Sequence, residues 1–192
     1  MERDDSQLIQ QCVRGDRAAF GLLVRRYQDR LFNTVVRILG NAEDAADIVQ
    51  ESFLLAFVKL EAFKGNARFF TWLYRIAVNA SISMKRKQKT LLSSDSHDAL
   101  PALMESIDRS EASRPESALD RRERIERLES ALNRLTPDHR AVIVLKEIEE
   151  LSYESIAEIL GVPVGTVRSR LHRARLELRD QLMKESVGIP SE

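Results

Sequence analysis

Residues 151–175, LSYESIAEILGVPVGTVRSRLHRAR, decide how the rest of the chain is read. Ser152 can cap a short helix, with Glu154 or Ser155 near the capping-box position, and Ile156, Ala157, Ile159 and Leu160 give that helix its apolar residues. Gly161-Val-Pro-Val-Gly165 then breaks the helical period, which resumes from Thr166 to about Met183. At about 100° per residue, Val167, Leu171, Ala174 and Leu178 share one narrow sector and face a core. Gly165, Ser169, His172 and Leu176 stand opposite, Arg173 is adjacent, and Thr166, Arg168, Arg170 and Arg175 lie on the flanks. A short helix, a tight glycine turn and a longer basic helix form a helix-turn-helix, whose second helix enters the DNA major groove. Side chains on the centre line of such a helix reach base edges, whereas flanking groups reach phosphates. Ser169, His172 and Arg173 are therefore assigned to base readout, with Arg173 suited to a bidentate guanine contact, and Thr166, Arg168 and Arg170 to the backbone. The competing reading is a solvated face whose arginines pair with Glu177 and Asp180.

Upstream of this motif, Ile125, Leu128, Leu132 and Leu135 form an apolar stripe. Thr136-Pro137-Asp138 starts a further helix, proline suiting its first turn, with Ala141, Val142, Val144, Leu145 and Ile148 as its apolar residues. Four helices thus make a C-terminal domain over 121–184, followed by a tail, 185–192. The preceding stretch, 93–120, is polar and acidic without sustained periodicity and reads as a flexible linker. Leu100, Leu103, Met104 and Ile107 interrupt it, a segment that binding in an assembly could order. In the N-terminal part, a short helix around Gln7 to Val13 is followed by a helix capped by Asp16, with Phe20, Leu23, Val24, Tyr27, Leu31, Val35 and Leu39 at steps of three and four. Gly40 stops it. Further periodic segments run from Ala42 to about Phe63 and from Phe69 to about Lys87, completing an N-terminal domain over 1–92. The expected fold class is all-α: two small helical domains joined by a flexible linker.

The third N-terminal segment carries a second nucleic-acid signature. Its expected core face is Phe70, Leu73, Ala77, Ala80 and Met84, and the neighbouring stripe holds Arg68, Trp72, Arg75, Asn79, Ser83 and Arg86. Indole and guanidinium groups stack on unpaired bases, and cations follow phosphates. The loop before it, Lys64 to Arg68 with Gly65 and Asn66, could pocket an extruded base. Trp72 and Tyr74 suit a core equally well. The helix upstream presents Asp44, Asp47, Gln50 and Glu51 beside Ile48 and Phe53, a spacing that ordinarily marks a solvated face.

Thirty basic and thirty acidic residues cancel, so no global field draws the chain to nucleic acid; the charges instead segregate into patches that suggest separate partners. With 43% hydrophobic and 31% charged residues the composition is that of a soluble globular protein. Cys12 is the single cysteine, which excludes an intramolecular disulfide and suits a reducing, cytoplasmic setting without a metal site. No apolar run approaches the roughly 18 residues of a membrane span, and the charged N-terminus lacks a signal core. His97, His139 and His172 form no cluster, no carboxylate pair is set for acid-base work, and no glycine-rich phosphate loop occurs; an enzyme and a bound cofactor are not expected.

Taken together, Asp47-Ile-Val-Gln50-Glu51-Ser-Phe53, Phe69-Phe-Thr71-Trp72-Leu73-Tyr74-Arg75-Ile76-Ala77-Val78-Asn79, Leu151-Ser-Tyr153-Glu-Ser-Ile156-Ala157 and Pro163-Val-Gly165-Thr166-Val167-Arg168-Ser169-Arg170-Leu171 resemble extracytoplasmic-function sigma factors. The likeness covers both domains in order, from about Gln7 to Leu182. It implies a non-enzymatic subunit that directs core RNA polymerase to promoter DNA. Asp44, Asp47, Gln50 and Glu51 become polymerase contacts. Lys64, Asn66, Arg68, Trp72, Arg75, Asn79, Ser83 and Arg86 become the surface that opens and reads the minus-ten element, with Asn79 placed to read an extruded base. Thr166, Arg168, Ser169, Arg170, His172 and Arg173 meet the minus-thirty-five element as duplex, and an anti-sigma factor is the expected regulator. Ser81-Ile82-Ser83-Met84 departs from the more polar continuation of common members and leaves base preference open. Rival readings of the residues are a free-standing helix-turn-helix regulator and a helical scaffold that binds only protein.

Overall fold

A computed structural model describes residues 4–63, 65, 68–94 and 115–187, and its side-chain detail excludes 92–94, 115–121 and 185–187. The described residues form helices and contain no strand. Helix α1 (Asp5–Val13) lies on α2 (Arg17–Leu39), which packs against α3 (Ala42–Val58) and α4 (Phe69–Ser94); a short 3-10 turn, Leu60–Ala62, leads out of α3. The second group comprises α5 (Pro115–Arg134), α6 (Pro137–Ile143), a π-helical turn over Val144–Ile148, α7 (Tyr153–Leu160) and α8 (Val164–Val187).

Helix ends follow local chemistry. Asp16 accepts from the Ala18 amide at 3.0 Å, Asn41 from Glu43 at 2.8 Å, and Ser152 from Ser155 at 3.1 Å, each pairing an amide that the first helical turn leaves without a partner. Thr136 accepts from His139, with Pro137 in the first turn of α6. Gly40 ends α2 at φ 75° and Gly161 ends α7 at φ 66°, backbone conformations that a side chain disfavours.

Several boundaries differ from the periodic reading. Helix α3 stops at Val58 instead of near Phe63, because the chain tightens into the 3-10 turn with Leu60 buried. Helix α4 continues to Ser94, and α5 begins at Pro115, inside the stretch read as linker; a proline that fits a first turn and a run of charged helix formers sustain α5 there. The segment Leu100 to Ile107 lies outside the described residues. Helix α8 starts at Val164, so Gly165 is helical and the break is shorter than its two glycines suggest.

Two cores meet. In the first, Leu23, Leu31, Val35, Ile38, Leu73, Ala77 and Val78 are fully buried; in the second, Ala141, Val142, Leu145, Ile156, Ile159, Val167 and Ala174 are. They join into one apolar cluster, because α7 lies along α4 and α6 reaches both α4 and α2. Helix α4 packs on α2 and α3 of its own domain as well as on α7 and α6, so the single expected core stripe is too narrow: Phe69, Tyr74 and Ile82 are buried as well as Leu73 and Ala77, while Phe70, Ala80 and Met84 are only partly covered. Among the described side chains of α5, Ala131 and Leu132 are buried, as is Leu135 just after it. Ile125 and Leu128 remain exposed, because α5 extends beyond the body it packs on.

Candidate nucleic-acid interface

On α8 the apolar sector is buried as its spacing predicts: Val167 and Ala174 are fully covered, Leu171 nearly so, and Leu178 partly. That anchorage turns Arg168, Ser169, His172 and Arg173 outward, and all four are exposed. Ser169 Oγ donates to the Thr166 carbonyl at 3.0 Å, and the Arg168 guanidinium lies 5.6 Å from the centre of the Tyr153 ring. Arg170 is half-buried and pairs with Asp138 at 3.0 Å. Glu177 is taken by His139 and Asp180 by Arg179, so neither carboxylate neutralises the four outward residues. Arg175, on the flank, pairs with Glu147.

On α4 the expected residues meet different surroundings. Trp72 is half-buried, its ring 5.0 Å from Phe63 and 5.9 Å from Phe69, so the indole belongs to an aromatic cluster at the start of the helix and keeps only part of its surface open. Arg68, Arg75, Ser83 and Arg86 are exposed, but two of these arginines touch the second domain. The Arg75 guanidinium lies beside Gly161, and Arg86 pairs with Asp138 at 2.6 Å. Asn79 Nδ2 donates to the Arg75 carbonyl at 2.7 Å and to the Ile159 carbonyl at 3.0 Å. Gly65 has φ 70°, a turn that glycine favours; Lys64 and Asn66 lie outside the described residues.

On α3, Asp47, Gln50 and Glu51 form an exposed row, whereas Asp44 is partly covered and accepts from Gln88 of α4 at 2.9 Å. The row continues into Leu54 and Val58, which are also exposed, so the acidic surface borders an apolar one.

Sequence periodicity missed the charged residues between the domains. Glu149, buried in the turn after the π-helical segment, accepts from Arg30 Nε at 2.8 Å and from Thr34 Oγ1 at 2.6 Å. Thr34 has one proton, and the carboxylate is its strongest acceptor; the Tyr74 hydroxyl, 3.2 Å from Thr34, then supplies the next proton of the chain. Burial raises the pKa of the Tyr74 hydroxyl, which keeps it protonated and a donor. Arg30 is itself made harder to deprotonate: desolvation acts to lower its pKa, but the bond and charge of Glu149 outweigh this. Arg140, buried in α6, donates to the Arg37 carbonyl at the end of α2 at 2.5 Å and to Asn133. Burial pushes its pKa down to about 10. Lys85 donates to the Leu39 carbonyl nearby at 2.6 Å, and burial with the Arg140 charge lowers its pKa too. No spacing rule marks Glu149 among Glu147-Ile148-Glu149-Glu150, or Arg140 among the many arginines, because their partners are remote in sequence.

No group of three or more His, Cys, Asp and Glu residues suited to a metal ion occurs among the described residues, nor is any described helix long and apolar enough to cross a membrane.

Comparison with known proteins agrees with this architecture. The Sigma-70 region 2 family model matches residues 23–90, from α2 into α4, and the Sigma-70, region 4 model matches residues 125–178, which include the helix-turn-helix. Regions 2 and 4 in that order are those of a sigma-70-type transcription initiation factor. The chain is 40% identical over 184 residues to the ECF RNA polymerase sigma factor SigW of Bacillus subtilis (strain 168), covering 95% of this chain and 98% of that one. Against the ECF RNA polymerase sigma-E factor of Escherichia coli (strain K12) it is 39% identical over 175 residues, with coverage of 89% and 90%. The chain therefore belongs to the extracytoplasmic-function family of RNA polymerase sigma factors. Among solved structures, CnrH in complex with the cytosolic domain of CnrY matches at TM-score 0.66 and 28% identity, covering 93% of this chain and 96% of that one. The sigma factor RpoE of Bartonella quintana, in complex with the anti-sigma factor NepR, matches at TM-score 0.65 and 24% identity, over 85% and 96%, a likeness of fold.

Proposed function

We propose that this sigma factor binds core RNA polymerase through the Asp47, Gln50 and Glu51 row of α3, with Asp44 at its edge. The helix-turn-helix reads the minus-thirty-five element as duplex, and the α4 stripe captures the melted minus-ten strand. The observation that carries the reading is the outward face of α8: its back is locked into a core while Ser169, His172 and Arg173 stand exposed with no internal carboxylate on them. That geometry is what a major-groove helix requires. Residues 1–92 form the polymerase and minus-ten module, 121–184 the minus-thirty-five module, and 93–120 the connection, its last residues already helical as α5. Two modest binders joined in one chain gain joint affinity through effective concentration. CnrH is seen with the cytosolic domain of CnrY. By the same likeness, an anti-sigma factor is part of this proposal.

Transcription reconstituted with purified core polymerase tests the reading. The chain is expected to direct initiation at particular promoters only with core enzyme present, and Glu51→Arg to abolish core association while the free chain keeps its helical circular dichroism. Promoter-specific duplex binding without polymerase, on a palindromic site, would instead identify a free-standing regulator. Core binding undiminished in Glu51→Arg and Gln50→Ala would remove α3 from the polymerase interface.

A further inference from the structure

Helix α1 lies outside residues 23–90, which the region 2 model matches. Its 9 residues fall short of the roughly 12 to 15 that an isolated helix needs in water, so docking is what holds it. Leu8 is fully buried, with Ile9 and Cys12 partly covered beside it. Asp5, in the first turn, closes the contact as a fork. One carboxylate oxygen accepts from Arg26 Nη1 at 2.5 Å and the other from the Tyr27 hydroxyl, both on α2. Burial and the Asp5 carboxylate raise the pKa of that hydroxyl, which stays protonated and a donor. Helix α1 also touches the 3-10 turn that leads to Phe63.

The Tyr27 ring begins a connected row of aromatic side chains. It lies 5.7 Å from Phe69 and 6.1 Å from Phe70. Phe69, which is buried, stands edge-on to Phe63 at 6.1 Å and tilted against Trp72 at 5.9 Å, and Phe63 meets Trp72 at 5.0 Å. These separations are those of favourable tilted and edge-to-face pairs. The row therefore runs from Asp5 on α1 to the half-exposed indole of Trp72, a member of the α4 stripe. Among the described residues no side-chain hydrogen bond fixes that indole, so its angle is set by the rings around it.

We propose that α1 is a brace for strand capture: the Asp5 carboxylate fixes Tyr27, and Tyr27, through Phe69, fixes the face that Trp72 offers to an unpaired base. Asp5 and Tyr27 are then positioning residues for promoter opening, although neither lies on the α4 stripe. The inference rests on the reading of α4 as the minus-ten surface and deepens it by naming what sets the geometry of that surface. Stacking favours capture only where base and ring lie face to face, and a ring held in place beforehand loses less freedom on binding.

Promoter opening by holoenzyme, formed at saturating core polymerase and followed by 2-aminopurine fluorescence in the minus-ten element, tests the brace. Asp5→Ala and Tyr27→Phe delete the same hydrogen bond, and each should slow opening about tenfold, the scale of one hydrogen bond to a charged group. The double variant should be no slower than either alone, because the bond can be lost only once. Asp5→Asn keeps an acceptor oxygen and should recover most of the rate. Trp72, the single tryptophan, gives a second readout in the full chain without polymerase. Both single variants should make its emission easier to quench with acrylamide while far-ultraviolet circular dichroism stays at the parental value. Arg68→Ala, at the exposed start of the α4 stripe, reports on the minus-ten reading itself. Slow opening in Arg68→Ala beside parental opening and quenching in Asp5→Ala and Tyr27→Phe overturns the brace and leaves that reading standing. Parental opening in all three overturns both. Additive slowing in the double variant would mean that Asp5 and Tyr27 act separately, which also overturns the brace.

Discussion

Helices α4 and α8 are nearly the same length, 26 and 24 residues, and each carries arginines on the side away from its own core. Their surroundings differ. Helix α8 is covered along one sector only, and His172 and Arg173 meet no internal carboxylate. Helix α4 is flanked on two sides, so that Arg86 has Asp138 beside it and Asn79 has a carbonyl. The comparison teaches that the availability of a basic stripe is a property of what packs beside it. Similar sequence chemistry yields an open reader in one domain and a compensated one in the other.

The largest expected effect breaks the comparison by loosening α8 from its core. Leu171 is almost fully buried, and Leu171→Ala should cost about 2–5 kcal/mol, the usual range for a truncated core leucine. Trp72, the one tryptophan, reports on the other domain. If docking makes the two cores one cooperative unit, Trp72 fluorescence and far-ultraviolet circular dichroism should lose their signals at the same lowered denaturant midpoint. A Trp72 transition unmoved by Leu171→Ala would show that the cores melt independently.

A smaller effect sharpens the comparison at the exposed face. Arg173→Ala should cost about 1–3 kcal/mol at one base pair of the minus-thirty-five element and leave other positions unchanged, as loss of a bidentate base contact does. Holoenzyme binding to a set of single-base promoter variants checks it. An equal loss on every variant would move Arg173 from base readout to the backbone.

How much of this was legible in the sequence follows the same division. The apolar sector of α8, the caps Asp16, Ser152 and Thr136, and the glycine stops at Gly40 and Gly161 depend on neighbours within a few residues, and periodicity finds them. The outward set on α8 could be projected because a single buried sector fixes its opposite. Helix α4 defeats that projection, since a second domain covers part of what one core would leave exposed, and Tyr74 and Ile82 are buried with Leu73. Glu149 and Arg140 are set by partners up to 119 and 103 residues away, a separation no local pattern encodes. The π-turn over Val144–Ile148 also reads as ordinary helix, because its apolar residues suit either winding.

The smallest effect separates phosphate contacts on the two helices. Arg168 is exposed, flanks the base-reading line and is steadied over Tyr153. Arg168→Ala should therefore weaken duplex binding almost equally across sequences and reduce the magnitude of the salt slope of the binding constant by about 1, because one fewer counterion is released. Arg86 should behave differently in the isolated chain. Its guanidinium already sits on Asp138, so Arg86→Ala should leave the duplex salt slope unchanged there. In an Arg30→Glu background, opened by loss of the ion pair that Arg30 makes with Glu149, the same substitution should lower the salt dependence of single-strand binding, since the cation has become available to phosphate. Titrations at several salt concentrations with both kinds of DNA measure the contrast. Equal slopes for Arg86→Ala in the docked and opened chains would mean that Asp138 does not hold that cation back from DNA, and the asymmetry between α4 and α8 would then rest on the hydrogen bond of Asn79 alone.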